Sequence, residues 1–430
     1  MLDPRLIRTD PEQIRAGLAK KGVAVDIESL IALEAERRTL VAETDELKRQ
    51  RNEASESIAR MKQAGEDAAE AIATSRNLSE QVKAADARLG ELEARFEDEL
   101  SRLPNLPDPL SPVGESEADN VVTEVSGEKP EYDFAPRDHV DLASALGLVD
   151  FDAASRLSGS GFILYTGTGA RLVRALINFM LEHQTQVNGY REVWPPVLVR
   201  TLAMFGTGQL PKMAEDMYRL EEDDLWLIPT AEVPITNIHA DSILDEESLP
   251  RAYAACSACF RREAGAHGAD TRGLIRVHQF DKVELVRFTT PEKSEAEHEL
   301  LLSHARSVLD ALGLHYRVLE LCTADLSFAA RRCQDLELWA PGSERWLEVS
   351  SCSNFGDFQA RRAGIRYRRS SDGKVACAHT LNASGVAVPR LLVALLETFQ
   401  TDEGTVIVPE PLRPWLGGLA VLSDDGHGTG

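Results

Sequence analysis

The sequence lacks long apolar runs and both of the common phosphate-binding motifs. No segment approaches the apolar length of a membrane span, and Asp3, Arg5 and Arg8 stand where a signal peptide would carry apolar residues. Neither a Gly-x-Gly-x-x-Gly motif nor a P-loop motif occurs, so nucleotide phosphates, if bound, are not held by either cradle. These absences predict a cytoplasmic protein without a membrane partner.

Cysteine is also scarce, and its spacing argues against a structural zinc site. Six cysteines are scattered along 430 residues, and of these Cys256 and Cys259 form a Cys-x-x-Cys pair. A structural zinc site usually needs a second closely spaced Cys or His pair, which is missing. Residues three apart in a strand also point to opposite faces of a sheet. We therefore expect buried or half-buried thiols and no zinc.

Basic residues are in the minority. The chain has 47 Lys and Arg against 70 Asp and Glu, a formal net charge of −23. Taken over the whole chain, this acidity argues against contact with a nucleic-acid backbone. Acidic residues can, however, suppress nonspecific RNA binding while a local basic cluster makes a specific contact. Such a cluster occurs in one N-terminal segment, at Arg37, Arg38, Lys48, Arg49, Arg51, Arg60 and Lys62.

The same N-terminal segment has the apolar spacing of a coiled coil. Residues 27–103 are predicted to form two long helices, and the break at residues 63–67 lets the chain reverse. A narrow seam surrounded by charged positions favours an antiparallel hairpin projecting into solvent; a helical pair packed within a bundle is the alternative. The seam positions step by alternating threes and fours: Leu30, Leu33, Arg37, Leu40, Thr44, Leu47, Arg51, Ala54, Ile58 and Met61, then Leu78, Val82, Ala85, Leu89, Leu92 and Phe96.

The rest of the chain changes from long helices to alternating strands and amphipathic helices. Prolines at positions 104, 107, 109 and 112 stop the second helix and predict a linker. The length suffices for two domains, and the order of elements predicts an α+β fold with a mostly antiparallel sheet flanked by helices. The predicted boundaries are an N-terminal domain with the helical arm at 1–105, a linker at 106–120, a second domain at 121–422 and a disordered tail at 423–430. Strands are predicted at 192–198, 225–228, 253–262, 274–285, 316–321, 335–339 and 346–351, and helices at 170–184 and 389–400.

The most informative segment, residues 259–285, combines groups that suit a nucleotide and an amino acid. Its arginines at 261 and 262 can grip a phosphate as planar forks. Phe280 offers a flat face on which a base can stack, and Glu284 can accept a proton from an ammonium or hydroxyl group. The segment therefore carries the parts needed to hold both ligands side by side.

This segment resembles motif 2 of class II aminoacyl-tRNA synthetases, in the form found in seryl-tRNA synthetases. Further similar blocks follow one another in order along nearly the whole chain, which makes the resemblance far more specific than one short motif. They are the opening MLDPRLIRTDPEQIR, GYREVWPPVLV at 189–199, TGQLPK at 207–212, TAEVP at 230–234, EVSSCSNFGDFQARR at 348–362 and HTLNASGVAVPRLLVALLE at 379–397.

The resemblance implies ATP-dependent activation of L-serine followed by its transfer to tRNA. Phosphoryl transfer of this kind depends on positioning and charge neutralisation more than on protein acids or bases. The implied catalytic residues are Arg261, Arg390 and Glu348. The implied ATP-binding residues are Arg261, Arg262, Glu263, Val277, Phe280, Glu348, Val349, Ser350, Ser351 and Arg390. The implied serine-binding residues are Thr230, Ala231, Glu232, Arg261, Glu284, Asn382 and Ser384. Mg²⁺, bound with ATP, is expected at Glu348 and Ser351, which offer the oxygen ligands it prefers.

Ordinary structural roles remain open for several of these residues. Thr230 and Glu232 would also suit a helix N-cap, Glu348 a solvated edge strand and Arg390 a salt bridge on a helix face. Against that last alternative, Arg390 stands at the start of an otherwise apolar run.

The chain departs from many relatives at two positions of the last block. Ala383 and Pro389 stand where many relatives have glycine. Ala383 would add a methyl group beside the serine pocket, and Pro389 is compatible with the first turn of a helix. Neither change removes a polar group that the chemistry needs.

The resemblance also implies partners. Pro196 matches the proline of the element that builds the homodimer interface in this family. The arm of one subunit would hold a tRNA charged by the other, through shape and phosphate contacts. The expected acceptor is tRNA(Ser), with tRNA(Sec) as a second candidate. Two alternative functions are an enzyme that charges a different acceptor, such as a carrier protein, and an inactive paralogue that serves as a binding protein.

Overall fold

The computed structural model describes residues 1–264 and 273–424. The described chain divides into two compact units, residues 1–104 and residues 105 onward. Residues 265–272, which lie within the motif 2 segment, are outside the described residues, and so is most of the predicted tail, from residue 425. No helix in the described ranges is long and apolar enough to cross a membrane.

The first unit consists of four helices, the last two of which form an antiparallel hairpin. Helix α3 begins after Asp26, whose carboxylate accepts a hydrogen bond from the Ser29 backbone at 3.2 Å, and ends at Gly65, which has a φ of 73°. The helices of this unit are α1 Pro4–Thr9, α2 Pro11–Lys20, α3 Ile27–Ala64 and α4 Ala69–Ser101.

The predicted seam is the contact surface of this hairpin. Every seam position is buried or half-buried, and the remaining positions of both helices are mostly exposed. Arg37 lies 5.3 Å from the centre of the Phe96 ring, and the Lys48 ammonium lies 2.9 Å from the Asp86 carboxylate on the opposite helix. The antiparallel pairing predicted from the spacing is confirmed.

The basic cluster of this hairpin is partly neutralised by its own helices. Arg37 pairs with Glu34, Lys48 with Asp86, and Arg49 with Glu46 and Glu53. Within the described residues, Arg38, Arg51, Arg60 and Lys62 form no ion pair. The positive charge that remains for contact with RNA is therefore smaller than the number of basic residues in the cluster suggests.

The second unit is built around an eight-stranded sheet. Its order is β1-β9-β10-β11-β14-β8-β7-β2, and every pairing is antiparallel except that between β2 and β7. The strands of the unit are β1 Val121–Ser126, β2 Arg191–Glu192, β3 Leu198–Arg200, β4 Arg219–Leu220, β5 Leu225–Leu227, β6 Ile243–Asp245, β7 Arg251–Phe260, β8 Gln279–Thr289, β9 Tyr316–Glu320, β10 Arg332–Ala340, β11 Arg345–Gly356, β12 Arg366–Arg368, β13 Val375–Cys377, β14 His379–Ala387, β15 Val406–Ile407 and β16 Val421–Leu422.

Helices pack against this sheet and share one apolar core with it. The core is continuous from α5 and α7 through α10 to α12, whose residues Leu391–Leu396 are all fully buried. The helices of the unit are α5 His139–Ala145, α6 Phe151–Ser158, α7 Gly167–Glu182, α8 Thr201–Thr207, α9 Glu232–Thr236, α10 Ser294–Ala311, α11 Phe358–Ala363 and α12 Val388–Thr398. The predicted α+β class with a mostly antiparallel sheet is confirmed.

Two strand predictions were wrong in their bounds, and one long strand was not predicted. The segment predicted as one strand at 192–198 is split, because Pro195 and Pro196 cannot donate to a ladder and separate β2 from β3. The strand predicted from Leu274 begins only at Gln279 and continues to Thr289. Strand β14 was missed, because its sequence HTLNASGVA is rich in small and polar residues that seldom favour strands.

The proline-rich segment after residue 104 is attached to the second unit. The Asn105 side chain donates to the backbone carbonyls of Ala329 and Phe355 at 2.8 Å each, and Asp108 pairs with Arg331. Residues 105–108 are therefore fixed by hydrogen bonds. The predicted domain and linker boundaries stay predictions.

Candidate active site

A cleft over the central strands brings together residues from three separate segments of the chain. Strand β8 lies between β7 and β14, so that Phe280 stands opposite Cys259, and Glu284 stands opposite Ser384. Strand β11 and the start of α12 complete the walls. Of the predicted residues, the lining includes Arg261, Glu263, Val277, Phe280, Glu348, Val349, Ser384 and Arg390.

Most of the predicted serine-binding residues do not line this cleft but form a buried polar cluster centred on Glu284, which meets the cleft at Lys282 and Ser384. This carboxylate is fully buried and accepts hydrogen bonds from Thr230 Oγ1 at 2.8 Å and from Asn382 Nδ2 at 3.1 Å. The Lys282 ammonium lies 2.5 Å from it. A buried charge needs both a counter-ion and donors, and Glu284 has both.

Asn382 keeps one unused acceptor in this cluster. Its amide nitrogen donates to Glu284, which fixes the orientation of the side chain. Its oxygen, Oδ1, is buried and has no hydrogen-bond partner within the described ranges. A buried acceptor without a donor is uncommon in folded proteins. The atom is therefore available to a donor group of a ligand.

Glu232 is a second buried carboxylate beside the first. Its Oε1 accepts a hydrogen bond from Gln359 Nε2 at 2.6 Å. Burial, and next the charge of Glu284, raise the pKa of Glu232 to about 7, against the opposing effect of the Gln359 hydrogen bond. A cationic ligand would favour the ionised form of this group.

Thr230 has the helix-capping role as well as a role in the cluster. Its Oγ1 accepts a hydrogen bond from the Glu232 backbone at 3.1 Å and donates to Glu284. The bond to the Glu232 backbone is consistent with the helix-capping interpretation, and the serine-binding interpretation stays a prediction. Ala231, between them, is fully buried.

The cleft itself carries an arginine over an aromatic ring. The Arg261 guanidinium lies 5.2 Å from the centre of the Phe280 ring. Glu263 has a φ of 51° in the left-handed region, and its carboxylate lies 3.2 Å from Arg276. A non-glycine residue in that region is unusual and is typical of functional sites.

Arg390 connects helix α12 to strand β11. Its Nη1 donates to the Glu348 backbone carbonyl at 2.7 Å and lies 3.5 Å from the Glu348 carboxylate, and its Nε donates to the Ile275 carbonyl at 3.3 Å. These contacts are with the neighbouring strand and loop. The structural alternative is therefore borne out in part, because Arg390 forms a salt bridge from the helix to Glu348 on β11, and its ATP-binding role stays a prediction.

Three predicted ATP residues do not line this cleft. Ser350 is fully buried and its hydroxyl donates to the Ser384 carbonyl at 2.5 Å. The guanidinium of Arg262 lies 6.0 Å from the Tyr218 ring centre. Ser351 lines an adjacent cavity together with Glu348, and its hydroxyl lies 3.1 Å from the Cys333 sulfur. Across the ranges 1–264 and 273–424, no group of three or more His, Cys, Asp or Glu residues forms a metal site.

Two residues of the site were not predicted from the sequence. Lys282 is the counter-ion of Glu284, and Gln359 contacts Glu232. Lys282 could have been found, because residues two apart in a strand share a face and Lys282 lies midway between Phe280 and Glu284. Gln359 had no such signal, because its contacts are with residues far away in the sequence.

Comparison with known proteins identifies the family of this chain. Residues 1–107 match the seryl-tRNA synthetase N-terminal domain, and residues 216–399 match the tRNA synthetase class II core domain (G, H, P, S and T). The chain is 51% identical over 429 residues to the serine–tRNA ligase of Sorangium cellulosum strain So ce56, covering 97% of this chain and 98% of that one. The chain belongs to the seryl-tRNA synthetase family.

Solved structures agree with this family membership. Seryl-tRNA synthetase from Pyrococcus horikoshii, complexed with ATP, superposes with a TM-score of 0.90 at 36% identity, covering 99% of this chain and 100% of that one. The cytoplasmic serine–tRNA ligase from Naegleria fowleri, in complex with AMP, gives a TM-score of 0.86 at 27% identity, with 99% of both chains covered. The seryl-tRNA synthetase resemblance inferred from the motifs is confirmed. The chain is a nucleotide-dependent class II aminoacyl-tRNA synthetase, and the comparisons do not support the alternatives of another acceptor or an inactive paralogue.

Proposed function

We propose that this chain ligates L-serine to tRNA(Ser) in two steps within the cleft described above. The observation that carries the proposal is the buried polar cluster of Thr230, Glu232, Glu284 and Asn382, directly beside the Arg261–Phe280 wall. Two carboxylates suit an ammonium group, and the hydroxyl and amide groups suit the serine hydroxyl. A site built to bond a hydroxyl rejects an amino acid that lacks it, because buried polar groups would be left unpaired.

In the first step, the serine carboxylate attacks the α-phosphorus of ATP and pyrophosphate leaves. Arg261 would bridge the α-phosphate and the attacking carboxylate, because a guanidinium can bond both at once. Phe280 would stack on adenine, Glu263 would contact the adenine end with the Val277 backbone nearby, and Arg390 would approach the γ-phosphate. Holding the reacting groups in line and neutralising the charge supplies the catalysis, so no protein base is required.

In the second step, a terminal ribose hydroxyl of the tRNA attacks the carbonyl carbon of the seryl-adenylate. The ester bond to the tRNA forms, and the bond between the carbonyl carbon and the phosphate oxygen breaks, releasing AMP. The serine ammonium would stay with Glu232 and Glu284 throughout. Both steps would then use the same amino-acid pocket.

Glu348 and Ser351 fit a magnesium site formed jointly with ATP. Both side chains offer oxygen ligands to one cavity, and Glu348 also lines the cleft. Mg²⁺ commonly takes only one or two protein ligands and completes its shell with phosphates and water. When bound, it would neutralise the developing charge on the phosphates. Ser350 and Val349 would contribute through the backbone of the same strand.

The chain is proposed to act as a homodimer in the cytoplasm. Large apolar side chains are exposed near Pro196: Trp194 is 80% exposed, Leu202 77% and Val187 69%. Such clustered exposure is typical of a surface that another chain covers. Sedimentation of the wild-type chain should give a dimer, and Trp194→Glu should shift the population toward monomer.

Amino-acid-dependent ATP–pyrophosphate exchange tests the first step. Exchange should be much faster with serine than with threonine, alanine or glycine. Equal exchange with alanine or glycine would contradict the serine assignment. Charging of total tRNA, tRNA(Ser) and tRNA(Sec) with labelled serine then tests the acceptor, and transfer to a carrier protein without transfer to tRNA would contradict it.

Deletion of residues 30–100 tests the role of the hairpin. The proposed ATP and serine residues all lie beyond position 225, so exchange should continue while tRNA charging is lost. Residual tRNA binding should depend less steeply on salt, because fewer phosphates are neutralised. Of the basic cluster on the first helix, Arg38, Arg51, Arg60 and Lys62 lie outside ion pairs in the part of the hairpin that the structure describes, so the change in salt slope should be smaller than the whole cluster would give. Retention of full charging would mean that tRNA is held elsewhere.

A further inference from the structure

Gln359 occupies a position in the site that no ligand contact explains. It lies on α11, is fully buried, and uses every polar atom of its amide. Nε2 donates to Glu232 Oε1 at 2.6 Å and to the Thr207 carbonyl at 3.2 Å, and Oε1 accepts from Thr380 Oγ1 at 2.7 Å. The orientation of the amide is thus set by Thr380, itself fully buried.

A neutral donor at this position has a different effect from a charged one or none. A lysine or arginine would neutralise Glu232 and compete with a cationic ligand. An apolar side chain would leave a buried carboxylate oxygen without a donor, which favours the neutral acid. An amide satisfies one oxygen and leaves the charge of Glu232 uncompensated by a full cation.

We propose that Gln359 is a positioning residue of the amino-acid pocket, which holds Oε1 of Glu232 so that Oε2 and the negative charge face the ammonium group of the substrate. This inference rests on the proposed function, in which Glu232 binds that ammonium. Thr380 acts one step further out, because its hydroxyl prevents the Gln359 amide from turning its oxygen toward Glu232. The expected chain of contacts is Thr380, Gln359, Glu232 and then substrate.

The surroundings of Glu232 are consistent with this role. The charged groups acting on it are Glu284, which disfavours its ionisation, and Lys282 and Arg261, which favour it. Helix α8, which packs on α9, contains no charged residue. Gln359 therefore supplies a local donor to Glu232 that is not a full charge.

The first test is steady-state exchange with Gln359→Met, which keeps the side-chain size and removes both polar ends. The KM for serine should rise by about 10- to 100-fold at pH 7, with KM for ATP nearly unchanged. Gln184→Met is the matched control, because Gln184 is also fully buried and hydrogen-bonded but lies outside the site. An equal rise in both KM values, or an equal effect of the control, would overturn the inference.

The second test is the pH dependence of the serine KM between pH 6.5 and 8.5. Loss of the donor should leave Glu232 protonated to higher pH, so the ratio of variant to wild-type KM should fall as the pH rises. Titration of serine itself is common to both proteins and cancels in the ratio. A ratio that does not change with pH would contradict the positioning role.

The third test asks whether the ammonium is the group that is affected. Calorimetry would compare 5′-O-(N-L-seryl)sulfamoyladenosine with its counterpart lacking the amino group. Wild type should prefer the amino compound by about 10-fold or more, and Gln359→Met should lose most of this preference. A preference of equal size in both proteins would overturn the inference.

Variants of Thr380 test the positioning role of Gln359 if Gln359→Met does not fold. Thr380→Val removes the hydroxyl at nearly constant shape and should raise the serine KM in the same direction by about 3- to 10-fold, while Thr380→Ser should restore it. No difference between these two variants would contradict the relay. If wild type shows no serine-dependent exchange, the proposed function fails; if wild type exchanges and all variants behave like it, this inference alone fails.

Discussion

The two parts of the proposed site, the serine-binding cluster (the amino-acid side) and the ATP-binding cleft (the nucleotide side), differ in how tightly the protein's own contacts organise them. On the amino-acid side, the ion pair of Lys282 and Glu284 has side-chain exposures of 8% and 0%. On the nucleotide side, the pair of Arg390 and Glu348 has exposures of 27% and 47%, with 3.5 Å between the charged atoms. The first pair is buried and tightly hydrogen-bonded, whereas the second is longer and partly exposed to solvent.

We therefore expect the buried cluster to determine which amino acid binds, and the more exposed groups to bind the nucleotide. A buried pocket whose side chains are held by hydrogen bonds keeps its geometry and can discriminate between amino acids that differ by one polar group. Half-buried arginines and an exposed carboxylate can adjust to a triphosphate and its cation, whose own charge would order them. Variants on the two sides should therefore fail in different ways.

The largest effect is expected when the buried pair is broken. Lys282→Met should lower the free energy of unfolding by about 3–5 kcal/mol, because Glu284 would be left as an uncompensated buried charge. Urea unfolding followed by circular dichroism measures this. The double variant Lys282→Met with Glu284→Gln should recover more than half of the loss. Equal stability of the single and double variants would show that the charge of Glu284 does not depend on Lys282.

Arg261→Ala should reduce the exchange rate by about 10²–10³-fold, because the phosphate and the carboxylate would lose their shared donor. Pyrophosphate exchange at saturating serine and ATP is the measurement. Arg368→Ala is the control, since Arg368 is exposed on an outer strand and donates to the Gly373 carbonyl. A variant that retains more than about a tenth of the wild-type rate would show that Arg261 does not bridge the two substrates.

Glu232→Gln should remove a loss of folding stability that the Glu232 carboxyl group causes as the pH rises. The carboxyl group ionises near 4.5 in the unfolded chain and at about 7 in the folded one. The folded state therefore holds the extra proton between these values, and the contribution of this group to stability falls as the pH rises through that window, by roughly 3 kcal/mol in total.

The glutamine variant lacks this loss, so its stability relative to wild type should increase from pH 5 to pH 8. Denaturant unfolding at both pH values measures the difference, and serine-dependent exchange should be lost in the same protein. Parallel pH curves for the two proteins would mean that Glu232 is ionised normally in the folded state.

The smallest effect on stability is expected on the nucleotide side. Arg390→Met should change the free energy of unfolding by less than about 1 kcal/mol, because exposed ion pairs contribute little. The same variant should raise the KM for ATP and leave the KM for serine nearly unchanged. A stability loss as large as that of Lys282→Met would remove the contrast between the two sides.

The sequence predicted some parts of this molecule well because their patterns are local. The seam of the hairpin follows from spacing alone, since residues three and four apart share a helix face. Phe280 and Glu284 could be placed on one strand face for a similar reason, given the period of two.

Other parts depend on contacts between distant segments and were missed. Thr230 meets Glu284 across 54 positions, and Gln359 meets Glu232 across 127. No local spacing in the sequence indicates a contact between residues so far apart. Strand β14 was missed because burial between β11 and β8 outweighs the weak strand preference of its residues. The position of Ser350, which faces Ser384 instead of the cleft, follows from a bulge that shifts the register of β11 against β10 beside it.

If Asn382 contacts the substrate as proposed, its unused acceptor would contribute to the fidelity of translation. An amino acid without a hydroxyl, such as alanine, would bury this oxygen with no donor to serve it, at a disadvantage of about 1–3 kcal/mol relative to serine. That corresponds to roughly a 5- to 150-fold lower frequency of mischarging at each encounter from one oxygen atom. The unpaired oxygen would thus lower the frequency of mischarging before any tRNA binds.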